Sequence, residues 1–525
     1  MVSTRLRMRM RYLGTVRVSR LVFAVGLIFG AILLCRWLMR PSPGIVRYKE
    51  VPVEHRMPQQ EIDDYIFALQ DTRPPHCRLE YRGHGHQEAR PKVSILVDFH
   101  NAEFYNLKLT LESILKHTPD ELYKEIILLD DGSDQALVTR HADEVLRGKK
   151  FAKVRAFRSE KYHGRGVTRF KASQVAEGSV LVFVSSDVTV NVGWLEPLLD
   201  AISEDYRLLV VSHSENFLSD HRFYQIDDDM VSTFSWTLST IYTESADHSG
   251  RLLRTPVMRG EVVAVSKTFL ESIGNYDDGM FHGGGHDFEL SLRTWLCGGQ
   301  VLKSICSRVA THSALKPLVV TNHTNYRRIA ELWLGDYKDI AYQQGGVKRQ
   351  MSADEKLDVD IRRKFLNKKL TCRSLDWYLN NVATNILAPS AEMVHYGKLK
   401  VSATYCARLT KELGKEVILV LCRPYLYDPS MIFMLDSRDR IRVGDMCLFA
   451  SSATSRVILT ECQDDNRLQT WQFLDSGLVL SRAFEDTCLT HVTSVDDAKT
   501  RVHQIHASAC RSGVDPKQIW SFISF

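Results

Sequence analysis

Three short segments carry side chains that could do chemistry. The first is Val180-Leu-Val-Phe-Val-Ser-Ser-Asp187, an apolar run ending in Ser185-Ser186-Asp187. The second is Glu125-Ile-Ile-Leu-Leu-Asp130, which ends in Asp130-Asp131 before Gly132-Ser133. The third runs from Tyr276 to Cys297, where His282, Gly283-Gly284-Gly285, His286 and Asp287 lead into a helical pattern. Carboxylate and imidazole groups at the ends of buried runs are the donors that divalent cations accept. Consecutive glycines allow close backbone approach to a ligand, or positive φ. Each segment also has a plain reading. Asp130 and Asp131 can simply turn the chain or cap the next helix. Histidines in a surface turn usually ligate nothing.

The elements that must position these groups alternate in kind. Val93–Asp98 reads as a buried strand, Leu107–Leu115 as a helix and Glu125–Asp130 as a second strand. Phe151–Phe157 is a third strand, then comes a helix over Val167–Ala176 and a strand over Ser179–Val184. Such alternation predicts an open, mostly parallel α/β sheet, in which ligands bind beyond the carboxyl ends of the strands. Arg327–Tyr342 reads as one helix with Ile329, Leu332, Trp333 and Ile340 on one side. After about residue 390 the chain turns to short strand-like runs. Gln469-Thr-Trp471 and Gln518-Ile-Trp520 each follow a cysteine, Cys462 or Cys510, and Met431-Ile-Phe433 holds the matching place after Cys422. These units of roughly 40 residues predict a three-fold β repeat whose tryptophans fill a shared core.

The ends bound the cellular setting. Leu21–Cys35 is apolar and continues past Arg36 through Trp37, Leu38 and Met39. Arginines crowd the segment before it. The pattern predicts a cytoplasmic tail over 1–20, a signal-anchor over 21–39 and a type II topology, followed by a proline-bearing stem over 40–70. The net charge is +5, but residues 1–40 hold eight arginines and no acid, so the remainder carries −3. That balance gives no electrostatic case for nucleic-acid binding. Of eleven cysteines, Cys35 lies in the apolar segment. The other ten suit disulfides in an oxidising compartment, and the last six fall into consecutive pairs. Asn322-His-Thr324 is the one N-glycosylation sequon.

Taken together, the motifs resemble those of the polypeptide N-acetylgalactosaminyltransferases. The carriers are Asp71-x-Arg73-x3-Cys77, Phe99-His100-Asn101, Leu128-Leu-Asp-Asp-Gly-Ser-Asp134, Val192-Gly-Trp-Leu-Glu-Pro-Leu198, Cys306-Ser-Arg-Val309 and Ala330-Glu-Leu-Trp333 through Asp336-Tyr-Lys338. The resemblance implies a GT-A catalytic domain over 71–385, Rossmann-like with a mostly parallel sheet, then an all-β ricin B-type lectin β-trefoil over 390–525. It implies a single-pass Golgi membrane protein with both domains lumenal, moving GalNAc from UDP-GalNAc to Ser or Thr of an acceptor polypeptide with Mn2+. It also implies the bridges Cys77–Cys306, Cys297–Cys372, Cys406–Cys422, Cys447–Cys462 and Cys488–Cys510. By the same alignment Phe99, His100, Asp131, Tyr162, Ser186 and Gly283 face the UDP-sugar. The resemblance leaves Asp187 and His312 as the candidate metal ligands.

The chain departs from that pattern where the chemistry sits. The family's Asp-x-His becomes Ser185-Ser186-Asp187, and its later histidine ligand falls at Thr311, with His312 one position on. Trp-Gly-Gly-Glu-Asn becomes Gly283-Gly-Gly-His-Asp287, so His286 and Asp287 occupy the degenerate catalytic position. The donor-binding arginine aligns with Tyr162, with Arg165 close by. The loop after Cys-Ser-Arg-Val shortens to Thr311–Pro317. The lectin's Cys-Leu-Asp sites become Cys406-Ala-Arg408, Cys447-Leu-Phe449 and Cys488-Leu-Thr490, without the sugar-holding aspartate. These losses predict a catalytically inactive member that binds a protein partner as a Golgi binding or scaffold protein, with a lectin lobe that does not hold carbohydrate. Two alternatives stay open: an active transferase with a rebuilt Mn2+ site, and a GT-A enzyme with an altered donor or metal-independent chemistry.

Overall fold

The computed structural model describes residues 71–80, 90–134, 151–217, 223–224, 228, 230–245, 250–259, 261–311, 321–389, 392–402, 404–410, 416–422, 427–451, 455–495, 501–511 and 515–523. The expected tail, anchor and stem, and His312 with most of its shortened loop, lie outside these residues. Among the described residues no helix is long and apolar enough to cross a membrane.

The N-terminal half is built on one twisted sheet. Its strands are β1 (Val93–Phe99), β2 (Tyr123–Asp130), β3 (Val154–Arg158), β4 (Val180–Ser185), β5 (Val188–Val190), β6 (Leu208–Phe217) and β7 (Phe223–Tyr224). A separate hairpin, β8 (Met230–Phe234) and β9 (Thr240–Glu244), precedes β10 (Leu252–Arg254), β11 (Val262–Ser266) and β12 (Gln300–Thr311). The sheet order is β10-β12-β6-β11-β4-β1-β2-β3. β4, β1, β2 and β3 run parallel, as do β12 and β6, while β11 runs against both its neighbours.

β1 and β4 are buried at every position, as strands covered on both faces must be. Alternate side chains divide between two cores. Ile95 and Val97 pack with Leu107, Leu111, Leu198 and Ile202 of the helices Phe104–His117 and Glu196–Glu204. Leu96 faces the opposite layer with Phe288, Leu292 and Trp295 of the helix His286–Leu296.

Two local expectations change. The third strand starts at Val154, because Phe151 to Lys153 form a turn ahead of it. The single helix expected over Arg327–Tyr342 is broken into His323–Trp333, a 3-10 turn Gly335–Tyr337 and Lys338–Gly345. The break falls at Gly335, whose φ of 51° is left-handed and interrupts the hydrogen-bond ladder.

The C-terminal half is an all-antiparallel sheet between Met393 and Ile523. Trp471 and Trp520 lie in its core, and their Nε1 atoms donate to the carbonyls of Leu448 and Leu489. Gln469 and Gln518 are fully buried, with side-chain amides that donate to Thr460 and Thr490 hydroxyls and to the Glu461 and Ala509 carbonyls. The first repeat puts Met431 and Phe433 in the matching interior place, without the indole or the amide. Five disulfides join Cys77–Cys306, Cys297–Cys372, Cys406–Cys422, Cys447–Cys462 and Cys488–Cys510.

The two halves meet at Leu387. Its carbonyl accepts from Trp236 Nε1 at 2.9 Å and from the Tyr396 hydroxyl at 3.2 Å, and its N–H donates to the Tyr427 hydroxyl at 3.0 Å. One apolar cluster continues through this junction, from Trp236 and Tyr378 to Met393, Tyr396 and Tyr427.

Candidate functional site

A cleft of about 410 Å³ opens at the carboxyl ends of β1, β2 and β4. It is lined by Asp98, Phe99, His100, Asp131, Tyr162, Arg165, Ser186 and Asp187, among others. Parallel strands place such a cleft where their last residues and the following loops converge. Ser186 and Asp187 are half-buried in the turn between β4 and β5. Ser185, just before them, is fully buried and does not line the cleft. Its hydroxyl donates to Glu261 Oε2 at 2.6 Å, and its N–H donates to the Glu261 carbonyl at 2.8 Å.

Asp130 and Asp131 hold loops. Asp130 Oδ1 accepts from Ser133 N–H, which closes the turn. Asp131 Oδ1 and Oδ2 accept from the backbone N–H groups of His163 at 3.0 Å and Gly164 at 2.7 Å. His100 Nδ1 lies 2.9 Å from the Asp131 carbonyl. Tyr162, on the loop so held, stacks between His100 and His282, with ring centroids 4.2 and 4.8 Å apart. Two glycines let these loops touch. A Cβ on Gly164 (φ 98°) would lie 2.4 Å from His282 N, and one on Gly283 (φ 44°) would lie 2.5 Å from Asn322 Cβ. Gly283 is therefore needed by packing against the 321–322 segment. Asn322, the sequon residue, caps the helix His323–Trp333, and its Nδ2 donates to the Phe281 carbonyl.

A charged layer runs inward from the cleft wall, and two of its members, Asp98 and Arg169, are not among the site residues expected from sequence. Asp98 bridges two arginines, Arg165 Nε and Arg169 Nε, each at 2.9 Å. Burial alone would push its carboxyl up, but Arg169 and Arg165 hold it below the usual carboxylate range. Arg169 also approaches Asp287 Oδ1 at 3.8 Å. His286 Nε2 stands 3.3 Å from the same oxygen, and neither atom has a hydrogen-bond partner among the described residues. Burial drives the His286 imidazole toward its neutral form and lifts the Tyr276 hydroxyl to about 12. His286, Asp287 and Gly283 do not line the cleft. Asp98 was visible as an acid inside an apolar run. Glu261 carried no comparable signal, because only the β11–β4 pairing brings it to Ser185.

These residues can be tested against a divalent cation. Such an ion needs several oxygen or imidazole donors converging on one point. At the position of the first expected carboxylate stands a serine hydroxyl already given to Glu261. Among the described residues, one group of three potential ligands converges, His76 with Cys77 and Cys306, and its two sulfurs are bonded to each other. The Ser185 hydroxyl is turned to Glu261, Asp187 lines the cleft, and His312 lies outside the described residues.

Comparison with known proteins agrees with both folds. The family model for glycosyl transferase family 2 matches residues 94–260, and that for the ricin-type beta-trefoil lectin domain matches residues 395–522. Polypeptide N-acetylgalactosaminyltransferase 10 of Mus musculus is 30% identical over 436 residues, covering 77% of this chain and 70% of that protein. The chain belongs to the polypeptide N-acetylgalactosaminyltransferase family. A family member from Drosophila melanogaster, polypeptide N-acetylgalactosaminyltransferase 8, is 28% identical over 493 residues, 87% of this chain and 79% of its own length. A crystal structure of GalNAc-T7 with UDP, GalNAc and Mn2+ shares the fold, with a TM-score of 0.56 and 22% identity across 92% of this chain and 96% of that one. Within this fold, then, His100, Tyr162, Ser186 and Asp187 line the cleft, while Ser185, bonded to Glu261, and His282, packed on Tyr162, lie outside its lining.

Proposed function

We propose that this GalNAc-transferase family member has lost transfer activity and works in the Golgi lumen as a binding protein for a polypeptide partner. The observation that carries the reading is Ser185. A neutral hydroxyl bonded to Glu261 replaces a carboxylate that would neutralise the diphosphate leaving group through a metal. Arg408, Phe449 and Thr490 in place of the sugar-holding aspartates favour protein over carbohydrate as the lectin lobe's partner. The signal-anchor over 21–39 and the domain limits 71–385 and 390–525 belong to the same proposal.

Calorimetric titration of UDP, with and without Mn2+, followed by transfer assays on acceptor peptides, tests it. The expected results are no Mn2+-dependent gain in affinity and no GalNAc transfer. Transfer above the background of a heat-treated control would overturn the proposal.

A second reading rests on Glu261. Its carboxylate sits against Ser185 and could replace the missing one, giving a rebuilt Mn2+ site with Asp187 and His312. UDP affinity that rises with Mn2+ and loses that rise in Glu261→Gln would favour this reading.

A further inference from the structure

The helix Ala353–Lys369 opens with a capping box between Ser352 and Glu355 and buries Val359, Arg362 and Leu366 against the body of the domain. Its other side carries Leu357, Ile361 and Phe365, which are 60%, 55% and 36% exposed. A spacing of four residues aligns them in one apolar stripe. Apolar side chains gathered in this way on a surface mark a contact.

The charges beside the stripe are sorted along the helix. Asp354 and Asp358 lie toward its N-terminus, and Lys364 and Lys368 toward its C-terminus. Both pairs are symmetric in position about Ile361. Turned end for end on an axis through Ile361, a second copy of the helix sets Leu357 against Phe365. Asp354 then meets Lys368, Asp358 meets Lys364, and Ile361 meets itself. A parallel arrangement would put acid on acid and lysine on lysine. Asp358 already holds Arg328 Nη1 at 2.7 Å, so the outer pair matters more. Among the described residues Asp354 and Lys368 take part in no ion pair. A membrane is a poor occupant, because a helix that lies on anionic lipid carries basic residues along its whole polar side.

We propose that this face is an isologous interface, through which two copies of the chain pair by antiparallel contact of Ile361 with Ile361 and Leu357 with Phe365. A two-fold axis requires such self-complementarity. One helix of 17 residues covers an area at the low end of specific interfaces, below about 1,200 Å². The pairing is therefore reversible.

Cross-linking of the full chain expressed in cells tests the axis. In Ile361→Cys the new sulfurs of two copies face each other, and mild oxidation is expected to give a covalent dimer on a non-reducing gel. Lys356→Cys is the control, on the same helix but about 140° around it from Ile361. The unaltered chain sets the background from Cys35. Equal dimer yield from Ile361→Cys and Lys356→Cys would overturn the proposal.

Charge reversal tests the register independently, by co-precipitation of two differently tagged copies without added cysteine. Asp354→Lys alone and Lys368→Asp alone each turn two attractive contacts into repulsive ones, and each is expected to lower recovery about three- to tenfold. An Asp354→Lys copy mixed with a Lys368→Asp copy pairs Lys with Asp at both ends, so recovery returns to the original level. A mixture that recovers no better than either variant alone would refute the antiparallel register.

Discussion

Replacing Ser185 by aspartate restores the family's first carboxylate and gives a quantitative test of the site's geometry. Ser185 Oγ lies 2.6 Å from Glu261 Oε2, so an aspartate there brings two carboxylates to within about 4 Å. At an effective dielectric constant of about 20, two like charges at that distance repel by about 4 kcal/mol. The folded protein escapes by binding one proton, which then lies in a carboxyl–carboxylate hydrogen bond. Keeping an aspartate of ordinary pKa near 3.9 protonated costs about 4 kcal/mol at pH 7 and about 1.5 kcal/mol at pH 5. The folded-state pKa of the pair is raised, so the folded state binds more protons than the unfolded one, and the penalty shrinks as pH falls. Ser185→Asp in residues 71–525 is therefore expected to lose about 4 kcal/mol of stability at pH 7 and about 1.5 kcal/mol at pH 5. Chemical denaturation followed by tryptophan fluorescence measures both. Ser185→Asn, which adds no charge, should show no such dependence. A penalty equal at the two pH values, or below about 1 kcal/mol at pH 7, would refute the reasoning. Loss of the penalty in millimolar Mn2+ would indicate that the two carboxylates can share a cation after all.

Further consequences can be checked in the same way. Burial depresses His213 and His286; the unfolded chain takes up protons below about pH 6.5 that these folded groups refuse, so stability falls as pH drops through that value. Glu196 and Glu215, raised by burial, act in the opposite sense at lower pH; a thermal melt series from pH 7.5 to 5 should flatten in His213→Leu. Asp98→Asn leaves Arg165 and Arg169 without their shared anion and is expected to cost about 3–5 kcal/mol in denaturant titration, part of which Arg169→Met recovers in the double variant. The Cys77–Cys306 bridge spans 229 residues, and its removal by paired serine substitution should cost about 5 kcal/mol on the loop-closure account, visible as a lower melting temperature.

The repeating parts of the fold were legible because burial writes a period into sequence. Val93–Phe99 and Val180–Ser185 are mostly apolar and buried at each position since both faces are covered, and the indoles of Trp471 and Trp520 recur because each repeat must fill the same interior. The broken helix at Gly335 was not legible from the spacing of Ile329, Trp333 and Ile340, which tolerates a turn between them. The site divides in the same way. Asp131 and Asp187 announce themselves as polar ends of apolar runs, and both line the cleft. What Asp131 does there, anchoring His163 and Gly164, depends on where a distant loop returns. Glu261 stands 76 residues from Ser185, with no local pattern to link them. The His100–Tyr162–His282 stack likewise joins three loops that only the folded sheet brings together.

The junction at Leu387 bears on how this chain can be taken apart. Aromatic side chains from both halves converge on the backbone of a single residue there, so neither half ends in a surface that water already covers. Cutting the chain near residue 390 would strand the Leu387 N–H on one fragment and the hydroxyls of Tyr396 and Tyr427 on the other, each beside newly wetted apolar rings. The halves are thus not interchangeable cartridges. A chimera that grafts a foreign lectin onto this catalytic half would have to import the tyrosines at 396 and 427 along with it, and a fragment expressed alone is a candidate for aggregation rather than for assay.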